Sequence, residues 1–170
     1  MIKRFLANKK GFTSIYTILW MAVLFPLLMF TVIDGTHYAY EVIHLKAVTD
    51  NAAASAVTQI DTTLIPQGVL QIDTANASSV ATTILQTDLN LNSDWTPKDN
   101  SIFSGTPTVK IDVVNVTSPT GVTYSTPIGN LTIYHPSVVI YAQYPIKGLF
   151  FQSDQVTIQK VGVSQVQFKQ

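Results

Sequence analysis

Residues 15–33 form a run of 19 positions without a charge, centred on ILWMAVLFPLLMF. As a helix rising about 1.5 Å per residue the run covers about 28 Å, close to the hydrocarbon thickness of a bilayer. Thr17 and Thr31 fit such a span because a helical threonine can bond back to its own backbone. Pro26 would break a soluble helix by removing a hydrogen bond, but a membrane span accepts it and bends there. Past residue 33 the apolar positions thin out to one face: Tyr38, Val42, Leu45, Val48 or Thr49, Ala52 and Ala56 recur at steps of three or four. The pattern predicts one helix over 12–60, about 70 Å long, apolar all round in its first half and amphipathic in its second.

Pro66-Gln67-Gly68 interrupts, and a shorter helix is expected over 74–89, with Asp73 as N-cap and Val80, Ala81, Ile84 and Leu89 on one side. Residues 90–107 are polar and rich in breakers (Pro97, Asp99, Asn100, Gly105), which marks a long loop. From Thr108 the period changes to two. Val109, Ile111 and Val113 alternate with Lys110 and Asp112, and further strands are expected at 131–134, 137–144 and 155–168. In the last of these the alternation slips phase around Gly162, for which a bulge is the simplest cause. The fold class expected is α+β: a long N-terminal transmembrane and amphipathic helix packed on a small C-terminal antiparallel β-sheet head. Its parts are a basic leader (1–11), the long helix (12–60), a short helix and loop (61–107) and the β head (108–170).

Charge adds direction. Lys3, Arg4, Lys9 and Lys10 supply four of the ten basic residues, whereas residues 11–170 hold six basic against ten acidic. Cations just before the span, with Asp34, Glu41 and Asp50 after it, place the N-terminus in the cytoplasm and export the head. A cleaved secretory signal fits poorly, because the one good A-x-A site, Ala54-Ser55-Ala56, lies more than twenty residues beyond the apolar run. Formal charge cancels over the whole chain and only 12% of residues are charged, which argues against a nucleic-acid partner. With no cysteine there is no disulfide framework, thiolate metal site or thiol nucleophile.

Candidate chemistry is sparse. The histidines are His37, His44 and His135; the first two share a helical face, yet no third ligand or H-E-x-x-H motif accompanies them, so no metal or other cofactor is expected. Neither a G-x-S-x-G elbow nor a glycine-rich phosphate loop occurs, and the chain does not read as an enzyme. Asn76, Asn115 and Asn130 begin N-x-S/T sequons and are candidate glycosylation sites.

Lys9-Lys10-Gly11-Phe12-Thr13 joins a short basic leader to a glycine and a phenylalanine opening the apolar run. This resembles the site at which prepilin peptidase cuts type IV pilins and their relatives, here between Gly11 and Phe12. Val32-Ile33-Asp34-Gly35, Tyr38-Ala39-Tyr40 and Leu45-Lys46-Ala47-Val48-Thr49-Asp50-Asn51-Ala52-Ala53-Ala54 are similar to the N-terminal module of TadE/TadG-like proteins, pilin-like components of the tight-adherence (Flp) system. Residues 137–144, Pro145-Ile146-Lys147 and a final strand are similar to that family's closing segment. The resemblance covers about 9–60 and 136–168, with Asp34, Gly35, Asn51, Ala52 and Ala53 carrying the motif.

What the resemblance implies is a structural subunit inserted in the membrane by its N-terminal helix and assembled into an extracellular filament. Its partners would be copies of itself or other pilins, the prepilin peptidase and the assembly machinery. Phe12, Tyr16, Trp20, Phe25, Pro26 and Phe30 would form the packing surface between helices. Many pilins carry glutamate five residues after the cut; the residue here is Tyr16. Tyrosine avoids the cost of a charge in lipid, about 2.5–3.5 kcal/mol on insertion scales, and forgoes pairing with a neighbour's amine. A tip or initiator subunit, a filament held by packing alone, and an uncut anchor each fit that exchange. The alternative function is a bitopic surface protein that never polymerises and exposes a binding head.

Overall fold

A computed structural model describes residues 9–116, 120–150 and 155–166. Helix α1, Lys9–Val57, runs 49 residues and passes through Pro26 without a break. The threonines of its apolar half bond back as expected: Thr17 Oγ1 donates to the Thr13 carbonyl and Thr31 Oγ1 to that of Leu27, both at 2.9 Å. At 1.5 Å per residue α1 is about 73 Å long. Its second half is held by packing on helix α2 (Thr74–Asp88) and on the sheet. Leu45, Val48, Thr49, Ala52, Ala53, Ala56 and Val57 are buried, so the face read from the sequence is the packed one, and both Val48 and Thr49 belong to it.

Small residues set the distance between the helices. Ala52, Ala53 and Ala56 of α1 and Ala77 and Ala81 of α2 are fully buried, and alanine lets two backbones approach closely. Asp73 caps α2 as expected, accepting the Asn76 N–H. The buried line on α2 is Ala77, Ala81 and Leu85. Of the expected face, Ala81 and Leu89 are buried and Ile84 packs against the core, while Val80 is half-buried at its margin.

Among the described residues five strands follow, one more than expected. β1 (Thr108–Val114), β4 (Ser137–Lys147) and β5 (Gln155–Gln165) form an antiparallel sheet in the order β1-β4-β5, and β2 (Val122–Thr126) pairs with β3 (Gly129–Ile133) as a separate hairpin. β2 carries only a short alternation, Val122 and Tyr124 against Thr123 and Ser125, with no residue of it fully buried, which is too weak a pattern to mark a strand. β4 also runs three residues beyond the expected end at 144. As the central strand it is covered on both faces, which explains its near-continuous apolar run. Val138, Ile140, Ala142, Tyr144 and Ile146 join the core facing the helices, while Val139 and Tyr141 are buried on the reverse side. There the Tyr124 hydroxyl of the hairpin donates to the Asp112 carboxylate, and Lys110 Nζ donates to the same hydroxyl at 3.4 Å.

The bulge expected at Gly162 is absent. The β4–β5 register is unbroken from Ser137↔Gln165 to Lys147↔Gln155, with Ile140 opposite Gly162. Gly162 faces α1, and a Cβ there would lie 2.7 Å from the Thr49 carbonyl oxygen. The apparent slip is a gap in the apolar series where the helix backbone takes the side chain's place. The loop at 90–107 is as expected, yet it supplies the core with Leu91 and Phe103, the latter stacked on Tyr144 at 5.9 Å between centroids.

Candidate functional site

The helix divides in the manner its sequence announces. Its most apolar stretch is long and apolar enough to cross a membrane, and none of that stretch is buried within the chain. Tyr16 (54%), Trp20 (48%), Phe25 (65%) and Phe30 (38%) are all exposed. Tyr16 and Trp20 meet edge to face at 6.1 Å and, with Leu19 and Val23, line a shallow apolar hollow of about 330 Å³. Pro26 lies within the same surface. A band of this size left in water is untenable: each Leu, Ile or Phe side chain gains roughly 1.5–3 kcal/mol on burial.

Lys9, Lys10 and Gly11 open α1, and the Gly11–Phe12 bond lies in its first turn. Lys3 and Arg4 lie outside the described residues, as does the Phe12 side chain.

The motif residues at the head end of the span separate into distinct roles. Asp34 is 4% exposed, and its Oδ1 accepts the N–H groups of Leu149 at 2.9 Å and Phe150 at 3.1 Å, in the turn after β4. One turn earlier on the helix, Phe30 stacks on Phe150 with centroids 4.5 Å apart. The Asp34 carboxylate and the Phe30–Phe150 ring pair thus tie the apolar half of the helix to the turn after β4. A Cβ at Gly35 would meet nothing within 4 Å, so no contact among the described residues demands the glycine. Asn51 is exposed, whereas Ala52 and Ala53 are core.

Glu41 enters the sequence pattern only as an acid following the span. Glu41, the sole glutamate of the chain, is buried, with His37 Nδ1 3.8 Å from one carboxylate oxygen and His44 Nδ1 3.4 Å from the other. Its Oε2 is sealed from solvent and has no hydrogen-bond partner among the described residues. The signal was legible, because Glu41 lies four residues before Leu45 and so on the packed face. Small clefts open on either side, about 180 Å³ against Glu41, His44 and Asp88 and about 260 Å³ against His37 and Lys147. The described residues contain no group of three or more His, Asp or Glu placed to hold a metal. His135 lies apart, exposed before β4.

Deeper in the head, Thr49 Oγ1 donates to the Leu45 carbonyl at 2.6 Å and shares a 2.9 Å hydrogen bond with the Tyr144 hydroxyl. Burial pushes the Tyr144 phenol up to about 12, against the smaller opposing effect of that bond. In the loops, Thr63 and Thr96 hydrogen bonds hold the Asp61 and Asp94 carboxyls below the usual range.

The three sequon asparagines differ. Asn76 and Asn130 are exposed, hydrogen-bonded to Asp73 and Ser125. Asn115 is half-buried: its Oδ1 accepts the Ile72 N–H at 2.8 Å and its Nδ2 donates to the Ile72 carbonyl at 3.0 Å. Compared with known protein families, with curated proteins and with solved structures, the chain matches none.

Proposed function

We propose that this chain is a pilin-like structural subunit of the TadE/TadG type, stored in the membrane by the first half of α1 and assembled into or beside an extracellular filament. The observation that carries the reading is the division of one unbroken helix into an entirely exposed apolar half and a half buried under a small head. Such a rod exchanges lipid contacts for contacts with sister rods. Apolar side chains are about equally content in either setting, so close packing must favour assembly. The exposed rings of Tyr16, Trp20, Phe25 and Phe30 supply surface for it. The cations before the span support a cytoplasmic N-terminus and an exported head. The head is read as a structural rather than a catalytic element.

The test is the mass and N-terminal sequence of the protein taken from its native membrane. A chain beginning at Phe12, and a Gly11→Leu variant that inserts but stays full length and outside filaments, are the expected results. A Gly11→Leu chain that is still shortened and assembled removes the peptidase from the reading. Tyr16 in place of a carboxylate favours a second reading, a bitopic anchor that never polymerises; a native chain beginning at Met1 selects it. Tyr16→Glu separates the positions within a filament, raising assembly for a subunit in mid-filament and changing little for one at the tip.

A further inference from the structure

We propose that the turn after β4 is a second membrane contact, with Leu149 and Phe150 seated in the lipid beside Phe30 at the head end of the span. The proposal rests on the reading of 15–33 as a bilayer span. Phe30 belongs to that charge-free run, and the Phe150 ring stacks on it at 4.5 Å, so the turn sits at the depth of the span's last turn. Leu149 (52%) and Phe150 (49%) are exposed apolar side chains in a head whose larger hydrophobic residues are mostly buried. Through the Phe30–Phe150 ring pair they extend the exposed apolar surface of the span. Lipid is the occupant that continuity selects, because the surface they extend is the one the bilayer already covers.

The backbone is prepared for the same place. A turn carried into hydrocarbon leaves N–H groups that water cannot reach, each at a cost of several kcal/mol. Here the Leu149 and Phe150 N–H groups are both taken by Asp34 Oδ1, and the carboxylate is itself 4% exposed. Asp34 follows Phe30 by four residues, so ring and carboxylate share a helix face and act on the same turn. A water-facing turn would need neither the apolar pair nor a buried acceptor for its amides.

The chain has no cysteine, so single nitroxide labels can be placed at will. Full-length protein is reconstituted in phosphatidylcholine–phosphatidylglycerol vesicles and labelled at Leu149→Cys, at Met21→Cys in the span or at Thr123→Cys in the β2–β3 hairpin. Collision with oxygen is compared with collision with a water-soluble nickel chelate. The expected result is an oxygen-to-nickel ratio at position 149 several-fold above that at 123 and approaching that at 21. A ratio at 149 equal to that at 123, with 21 in lipid, overturns the proposal and leaves the span intact. A label at 149 reached by neither reagent means a protein surface covers the turn, and also overturns it. If 21 itself reads as water, the span reading has failed and the proposal falls with it.

Discussion

Gly162 on β5 lies so close to Thr49 on α1 that a Cβ at position 162 would meet the Thr49 carbonyl oxygen at 2.7 Å and its carbonyl carbon at 2.9 Å. Both neighbours are backbone, held by the helix, and cannot swing aside as the end of a side chain would. Gly162→Ala is therefore expected to push α1 off the sheet and cost about 1–3 kcal/mol, the range of overpacked cores. Denaturant unfolding of the full chain in detergent micelles measures it. An alanine variant as stable as the parent would mean that α1 yields without loss.

The same glycine shows where sequence reading ends. Its position in the strand marks it as special, and a bulge and a close approach leave the same trace in the one-dimensional pattern. Only the path of α1, set by contacts far away in the chain, decides between them. Periodicity was enough for α1, α2 and the three strands of the main sheet, because each has an apolar face that must be covered. β2 buries none of its residues fully, and its two apolar positions, Val122 and Tyr124, are too few to mark a strand. Asp34 was singled out by resemblance, but its partners at Leu149 and Phe150 lie more than a hundred residues away, and nothing in the local pattern connects them. Glu41 is legible in the sequence: a single acid on a buried helical face is the kind of exception that local reading can find.

Asp34 Oδ1 accepts both amides of the turn, and the variants separate charge from acceptor. Asp34→Ala leaves the Leu149 and Phe150 amides without their acceptor, at about 1–3 kcal/mol for each donor left unpaired. Asp34→Asn keeps a carbonyl oxygen at the same place and is expected to lose much less. Hydrogen exchange at the two amides reads the difference: fast in the alanine variant, protected in the parent and in the asparagine variant. Equal protection in all three would show that something other than Asp34 shields the turn.

Tyr144 gives the head an alkaline limit. Its phenol is pushed up to about 12 in the fold by burial, against about 10 in an unfolded chain. Between those values the unfolded state releases its proton first and so gains on the folded one. The contribution is whole below about pH 10 and is lost as pH rises to about 12, at up to about 1.4 kcal/mol per pH unit. Tyr144→Phe removes the phenol and should cost about 1 kcal/mol at neutral pH, through the bond to Thr49. The gap between parent and variant should then close and reverse with rising pH. Unfolding curves for both proteins at pH 8, 10 and 11 test this, and a constant gap across the series would refute it.

Asn115 joins β1 to the segment before α2 by pairing with both backbone groups of Ile72, a residue only 2% exposed. An amide is suited to this because it offers one acceptor and one donor in a single plane. Asn115→Ala orphans a buried N–H and a buried C=O and should cost about 1–3 kcal/mol. Asn115→Asp is the sharper variant. Its carboxylate still accepts the Ile72 N–H but sets a second oxygen against the Ile72 carbonyl, so despite its near-identical shape it should be no more stable than the alanine variant. The same engagement bears on the sequons: an oligosaccharyltransferase offered the folded head should modify Asn76 or Asn130, both exposed, before Asn115. Thermal unfolding of the two variants and mass mapping of the modified asparagines check the two halves independently. An aspartate variant with parental stability, or Asn115 modified first, would show that the Ile72 contacts open readily in solution.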